Sequence, residues 1–332
     1  MAEAPAWVPA LTLRLQLQGL AALGLDAARV EAALGPLPDA PDALVPAQAY
    51  VRMWHAAEPL HGPGLPSALA GTIAFGAFGA LDYLVGSADT VAGGCESARL
   101  HFAMVSTDTA LEIDRLDDGG HALRVRALAP MPAQALEFTL ATLFLRLRHV
   151  TGGGFRARLL GLPVARPAGE DDERVALFGQ APAYGHPCAE MLIDAATWAL
   201  PTRSADPMLH AALKEMATRL DLAQPGDSSL QQALRARLRD ALAQGRADAA
   251  RLAKLLGMSE RTLQRRLAGI GRSFSEIVEE FRREEAARLL ATPGLALVEV
   301  ASRLGYAEQT SFTRAFRRWT GVTPGRWRAG RR

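Results

Sequence analysis

The last hundred or so residues carry one short pattern twice. Ala253-Lys254-Leu255-Leu256-Gly257-Met258-Ser259, followed by Leu263 and Leu267, returns as Ala301-Ser302-Arg303-Leu304-Gly305-Tyr306-Ala307, followed by Phe312 and Phe316. The offset is 48 residues up to the glycines and 49 at the later apolar positions, so one residue has been inserted. Each copy reads as a helix, a Gly-centred turn and a second helix rich in Arg and Gln. A helix-turn-helix needs two helices at a steep angle across a short turn, with Gly where the backbone bends sharply. Two such units in tandem point to nucleic acid as the partner.

The charge distribution agrees. Residues 227–332 contain 21 Lys/Arg against 11 Asp/Glu, a balance of +10, whereas residues 1–226 contain 16 against 24, a balance of −8. Only the C-terminal part is therefore suited to approach a polyanion. A chain of 332 residues is long enough for two domains, each with its own core. Cys95 and Cys188, the 2 cysteines, form no CxxC pair and no disulfide framework, and are read as reduced thiols. The N-terminus lacks the basic-then-apolar layout of a signal peptide. Gly62 to Leu81 carries no charge but is broken by Gly and Pro, too weak for a spanning helix and better suited to a buried turn with a strand or helix. The expected location is cytoplasmic, with no membrane partner.

The N-terminal two-thirds reads as α+β. Helices are expected at Leu11–Leu25, at Ala27–Leu34 behind a capping Asp26, at Ala47–Leu60, at Thr90–Val105 and at Gln134–Val150. The Pro-rich stretch from Gly35 to Pro46 reads as loop. Leu111–Asp114 and Leu123–Arg126 alternate apolar and polar residues around Asp117-Asp118-Gly119-Gly120, a β-hairpin signal. Phe155–Val164 and Met191–Ile193 are further strand candidates. After a helix at Asp206–Leu222, Gln224-Pro225-Gly226-Asp227-Ser228-Ser229 is the clearest linker, and all that follows is helical: Leu230–Ala243, then the two units joined by a long helix, Ser275–Ala291, which Thr292-Pro293-Gly294 stops. The expected organisation is an effector-binding or dimerisation domain over 8–200, a helix and linker over 201–229, and an all-α domain with two helix-turn-helix units over 230–328.

If Leu263 and Leu267 pack inward on Leu252 and Leu256, then Arg261, Gln264 and Arg265 lie on the opposite face of the second helix. In the second unit, burial of Phe312 and Phe316 leaves Gln309, Thr310, Thr313 and Arg314 outside. Arg suits guanine edges and Gln adenine edges in the major groove. Arg272, Arg317, Arg318, Arg326 and Arg328 are placed for phosphate contacts, which position a protein without specifying sequence.

Residues 230–328 resemble the DNA-binding domain of AraC-type transcriptional regulators. The run from Gly305-Tyr306-Ala307-Glu308-Gln309 through Trp319-Thr320-Gly321-Val322-Thr323-Pro324 follows that family's signature almost throughout, and Ser259–Leu267 matches its first recognition helix. The resemblance implies two recognition helices in successive major grooves on one face of double-stranded DNA, about one turn apart. The base-reading candidates carried over by position are Arg261, Gln264, Arg265, Gln309, Thr310 and Arg314. Less sharply, Val8-Pro9, Gly24-Leu25-Asp26, Val45-Pro46, Phe78–Tyr83 and Ser87–Thr90 resemble the effector domain of the ornithine-utilisation subgroup, whose label is arabinose-binding. That resemblance implies an unidentified small-molecule effector, contact with RNA polymerase as an activator, and a homodimer. The insertion implies that the second recognition helix differs from the first in length or phase, so that one chain reads two unlike half-sites.

Two other readings compete. The N-terminal domain could only dimerise a constitutive DNA-binding protein, with Leu209, Leu213, Met216 and Leu220 facing a twin. An enzyme fused to a DNA-binding module is the other. Against it, the chain has no GxSxG, P-loop, GxGxxG or HExxH, its 7 His are scattered without metal-ligand spacing, and Gly152-Gly153-Gly154 reads as a helix stop. No catalytic residue, cofactor or metal is expected. Arg52, Trp54 and His55 have pocket-like character, but a structural role suits them better, and no effector-contacting residue is assigned.

Overall fold

The computed structural model describes residues 7–38, 40, 43–128, 130–167, 172–223, 227–245, 247–256, 258–269, 272–292 and 294–329. They separate into two compact units that meet in sequence at Asp221 and Leu222. The first is mixed. It begins with β1 (Trp7–Pro9), α1 (Ala10–Ala22), α2 (Ala27–Leu34), β2 (Leu44–Pro46), α3 (Ala47–His61), α4 (Leu65–Thr72), α5 (Ala80–Ser87) and α6 (Val91–His101). It continues with β3 (Thr109–Arg115), β4 (His121–Ala127), α7 (Ala133–Val150), β5 (Leu159–Leu162), α8 (Asp172–Phe178), β6 (Ala183–Tyr184), β7 (Ala189–Ile193), α9 (Ala195–Trp198) and α10 (Pro207–Ala223).

Five strands form one sheet in the order β3-β4-β7-β5-β6, antiparallel except for the β5–β6 pair. The expected hairpin is present, its turn closed by Leu116 N–H donating to the Gly120 carbonyl at 2.8 Å. Asp26 caps α2 by accepting from Arg29 N–H at 3.0 Å, as its place before the helix suggested. The stretch read as pure loop is corrected at its end: Leu44–Pro46 pairs antiparallel with Trp7–Pro9. Proline is tolerated in so short an edge pair because few ladder N–H groups are needed.

Helix α7 is the spine of this unit. Leu140, Ala141, Phe144 and Leu147 are buried with Trp54, Phe155 and Phe178 in one core. Each such large apolar side chain contributes roughly 1.5–3 kcal/mol on burial. Two ion pairs lie within this core and both use α7: Arg146 with Asp82, and Glu137 with Arg174, with no side chain more than 4 % exposed. Ser67 Oγ also donates to Glu137 Oε1 at 2.8 Å.

The second unit is all-α. It contains α11 (Asp227–Ala243), α12 (Ala249–Leu255), α13 (Glu260–Gly269), α14 (Phe274–Ala291), α15 (Leu297–Arg303), α16 (Gln309–Thr320) and α17 (Pro324–Ala329). The expected linker is corrected in part: Asp227, Ser228 and Ser229 open α11, while residues 224–226 lie outside the described residues. Ser and Asp are favourable in a first helical turn, so the same residue types suit a linker and a helix start.

Two small cores divide the unit. Leu234, Leu238, Leu252, Leu256, Leu263, Leu267 and Phe281 form one, and Leu289, Val300, Leu304, Phe312 and Phe316 the other. Helix α14 supplies residues to both, so a single rigid element spaces the two helix-turn-helix units. Its start is fixed by a reciprocal capping box between Ser273 and Glu276.

Candidate functional site

In each unit the apolar period of the second helix decides which face remains outside. Leu263 and Leu267 of α13 are 0 % exposed, as is Phe312 of α16, with Phe316 at 1 %. Arg261, Gln264 and Arg265 are exposed on α13, and Gln309, Thr310 and Arg314 on α16. All six base-reading candidates thus stand on the outer faces of the two helices. Among the described residues, the side chains of Arg261, Arg265, Arg314 and Arg317 make no hydrogen bond or ion pair. Gln264 Nε2 instead donates to Glu260 Oε1 at 3.0 Å, and Thr310 Oγ1 to Glu308 Oε2 at 3.0 Å. Both contacts are local and exposed, and are readily exchanged for a base edge.

The inserted residue lies in the turn. Four residues, 256–259, separate α12 from α13, and five, 304–308, separate α15 from α16. The described part of α13 spans 10 residues and α16 spans 12, and the phase of the two is the same. The buried pairs Leu263/Leu267 and Phe312/Phe316 take the same fourth and eighth places from their helix starts. Arg265 therefore corresponds to Arg314, and Arg261 to Thr310. The expected shift of phase does not arise, because the turn absorbs the extra residue.

Gly305 shows why the second turn needs glycine. Its φ is +72°, and a Cβ there would lie 3.0 Å from the Leu242 carbonyl oxygen of α11. Both the left-handed backbone and the close approach exclude a side chain. Arg282 secures the same turn, with Nε donating to the Leu304 carbonyl at 3.0 Å and the guanidinium 4.8 Å from the Tyr306 ring centre. The corresponding Gly257 lies outside the described residues.

The five phosphate candidates divide into two groups. Arg317 and Arg326 are exposed with unengaged guanidiniums, and Arg318 is 67 % exposed although it pairs with Glu279. Arg272 is half-buried against Glu280, and Arg328 donates from Nε to the Leu290 carbonyl at 3.2 Å. Those two hold the domain together as it stands. Sequence reasoning did not separate them because the partners lie on another helix.

The first unit contains a cavity with about 650 Å³ of empty space, its mouth included, enclosed by α1, α3, α5, α6 and α7 and the start of β3. None of Arg52, Trp54 and His55 lines it. Trp54 is core, packed on Phe138 with ring centres 5.6 Å apart. Arg52 reaches the Leu34 carbonyl at 3.4 Å and His55 is exposed. The lining residue on the same helix is Tyr50, whose partner in sequence-distant Gln16 no local pattern indicates.

One grouping was missed in the sequence. His186, Cys188 and Glu190 bring their ligand atoms within 4.8 Å of one another. His186 and Cys188 stand in the bend that leads into β7, and Glu190 lies on that strand. They could hold a metal ion, but Arg124 Nε already donates to Glu190 Oε2 at 2.7 Å. Burial also pushes the Cys188 thiol up to about 11. Cys95 and Cys188 are both free, the first buried and the second half-buried.

Two exposed, cationic recognition helices on a tandem helix-turn-helix scaffold, beside a separate mixed domain with a cavity, define a DNA-binding transcriptional regulator. The family model described as the arabinose-binding domain of AraC transcription regulators matches residues 20–202, and a helix-turn-helix domain model matches residues 252–330. The chain is 32% identical over 299 residues to the HTH-type transcriptional regulator VirS of Mycobacterium tuberculosis, covering 87% of this chain and 85% of that one. It is 27% identical over 311 residues to the ornithine utilization regulator of Pseudomonas aeruginosa, covering 91% and 89%. A crystal structure of the regulator CdpR from Pseudomonas aeruginosa aligns with 96% of this chain and 98% of that one, at 22% identity and a TM-score of 0.47. The chain belongs to the AraC family of transcriptional regulators. Its relatives are regulators rather than enzymes, and among the described residues no helix is long and apolar enough to cross a membrane.

Proposed function

We propose that this regulator inserts α13 and α16 into successive major grooves on one face of double-stranded DNA. The effector domain (8–200) controls how the DNA-binding domain (230–328) meets its operator and RNA polymerase, as a cytoplasmic activator answering to a small molecule. The observation that carries this reading is the pair of matched outer faces, with unengaged Arg265 and Arg314 at equivalent helix positions. Arg261, Gln264, Gln309 and Thr310 complete the base-reading set. Arg317 and Arg326 are the phosphate contacts, while Arg318, Arg272 and Arg328 would have to leave Glu279, Glu280 and Leu290 to join them.

Association as a homodimer is favoured by α10, where Leu209 and Met216 are 44% and 42% exposed and Leu213 lies between them on the same face. Gel shift and footprinting on the DNA upstream of the protein's own gene test the reading. Two protected patches about one helical turn apart are expected, weakening steeply with salt. No salt-sensitive specific complex on any intergenic DNA would sink it. Equal operator affinity with and without every candidate effector would leave a constitutive regulator whose N-terminal domain only dimerises.

A further inference from the structure

The cavity in the effector domain limits what it can receive. Its wall is mainly apolar, with Val8, Leu81, Val85, Ala98, Phe102 and Leu143 among the lining residues. The two charged residues in the lining are Asp82 and Arg146, and they neutralise each other at 3.1 Å with side chains 4% exposed. Both have further partners. Arg146 donates to the carbonyls of Ile73 at 3.2 Å and Ala74 at 3.0 Å. Asp82 Oδ2 accepts from the N–H groups of Gly76 at 2.8 Å and Phe78 at 3.1 Å. Neither group has a charge to spare for a ligand.

The uncharged polar groups sort in the same way. Thr12 Oγ1 donates to the Val105 carbonyl, Thr139 Oγ1 to the Ala135 carbonyl, and Tyr50 Oη accepts from Gln16. Ser106 and Thr109 bond each other. Thr142 differs: it lines the cavity, and its Oγ1 has no hydrogen-bond partner but is covered as the side chain stands, so a turn about χ1 is needed to present it to a ligand. A buried hydroxyl left without a partner is unfavourable, and a ligand that supplies one gains that energy.

We propose that this cavity is the effector site and takes an uncharged, mainly apolar molecule whose one hydrogen-bonding group sits on Thr142. The assignment rests on reading the first unit as an effector domain. An amino acid or a carboxylate would enter with charge that no side chain in the wall can balance. A sugar would bring several hydroxyls to a wall where Thr142 Oγ1 and the Tyr50 O–H are the groups left without a partner. The ligand class therefore differs from the amino acid after which the Pseudomonas aeruginosa ornithine utilization regulator is named.

The test uses the full chain and the neutral dye N-phenyl-1-naphthylamine, whose fluorescence rises in apolar sites. The protein should bind the dye, and 1-octanol should displace it at least tenfold more effectively than octanoate, L-ornithine or L-arabinose at pH 7.5. Ala98→Phe fills the cavity and should abolish dye binding. Because that change can disturb folding, Thr142→Val is the second variant: it keeps shape and removes the hydroxyl. It should weaken 1-octanol about 3- to 10-fold, the effect of one buried hydrogen bond, and leave 1-chlorooctane unchanged. Should octanoate or ornithine displace the dye as well as octanol, and Ala98→Phe block them, the effector reading survives and the neutral class is wrong. If dye binding survives Ala98→Phe in a folded variant, or Thr142→Val leaves octanol unchanged, the cavity assignment is overturned. Operator binding without added ligand is scored separately, so failure of the DNA reading is not confused with either outcome.

Discussion

At the scale of single residues, what distinguishes the arginines of this protein is their partners. Arg265 and Arg314 are exposed and unengaged at the same place on two helices, so each can meet a guanine edge with two hydrogen bonds. Arg265→Ala and Arg314→Ala should each cost about 1–3 kcal/mol of operator binding and relax preference at one base position. Binding titrations against operators randomised at single positions would show it; a uniform loss across all sequences would reassign the residue to phosphate. Arg146 is the opposite case, since Asp82 neutralises it inside the core. Asp82→Asn leaves that guanidinium buried without its counter-charge and should destabilise the first unit by about 3–5 kcal/mol in urea unfolding. Unchanged stability would mean that water or the loop carbonyls already suffice. Gly305→Ala places a Cβ in a left-handed backbone against the Leu242 carbonyl, 3.0 Å away. A loss of about 1–3 kcal/mol in the C-terminal unit is expected, measured by calorimetry.

At the scale of elements, α10 has a pH-sensitive attachment to the effector domain. His210 Nδ1 lies 3.1 Å from Ser87 Oγ of α5, and Nε2 lies 3.3 Å from Ser97 Oγ of α6. Both helices also wall the cavity, through Leu81, Asp82 and Val85 on one and Ala98 on the other. Burial lowers the His210 imidazole below its ordinary value of 6.5, with Lys214 and His101 acting in the same direction and the Leu84 backbone and Asp89 opposing. The folded protein thus favours neutral His210, and the unfolded chain takes up the proton first as pH falls. Docking of α10 is strongest above about pH 6.5 and weakens below it. Hydrogen exchange in α10 should be faster at pH 5.5 than at 7.5, relative to intrinsic rates, and His210→Gln should remove that difference. Equal protection at both pH values would discard the account.

Helix α14 has a different task. Glu279, Glu280, Glu284 and Glu285 on it pair with Arg318, Arg272, Arg235 and Arg239 or Arg288. The connecting helix neutralises arginines around it, Arg318 of α16 among them, while Arg265 and Arg314 on the recognition faces stay unengaged.

At the scale of the whole molecule, the C-terminal +10 and the remaining −8 confine attraction for DNA to one domain. The salt dependence of operator binding should therefore arise from the C-terminal unit. Removing one phosphate contact, with Arg317→Ala, should lower the slope of log K against log salt by about 0.9 without changing base preference. An unchanged slope would show that Arg317 touches no phosphate.

The two recognition faces were legible in the order of residues alone, because an amphipathic helix states its buried side in its own spacing. Leu263/Leu267 and Phe312/Phe316 place Arg265 and Arg314 outward whatever lies around them. The asymmetry of charge was equally plain, as was the β-hairpin around Asp117–Gly120. Where the inserted residue went had to await the folded chain, since spacing shows that a residue is extra but not whether a turn or a helix absorbs it. Folding also settled which arginines are engaged: Arg318 meets Glu279 39 residues away, and Arg328 meets Leu290 38 residues away. The cavity belongs wholly to this second kind. Asp82 stands within the stretch Phe78–Tyr83 that carries the N-terminal resemblance, yet its partner Arg146 lies 64 residues on. Local periodicity records which side of an element is buried, but not which distant groups meet there, and the chemistry of a cavity is made of those meetings.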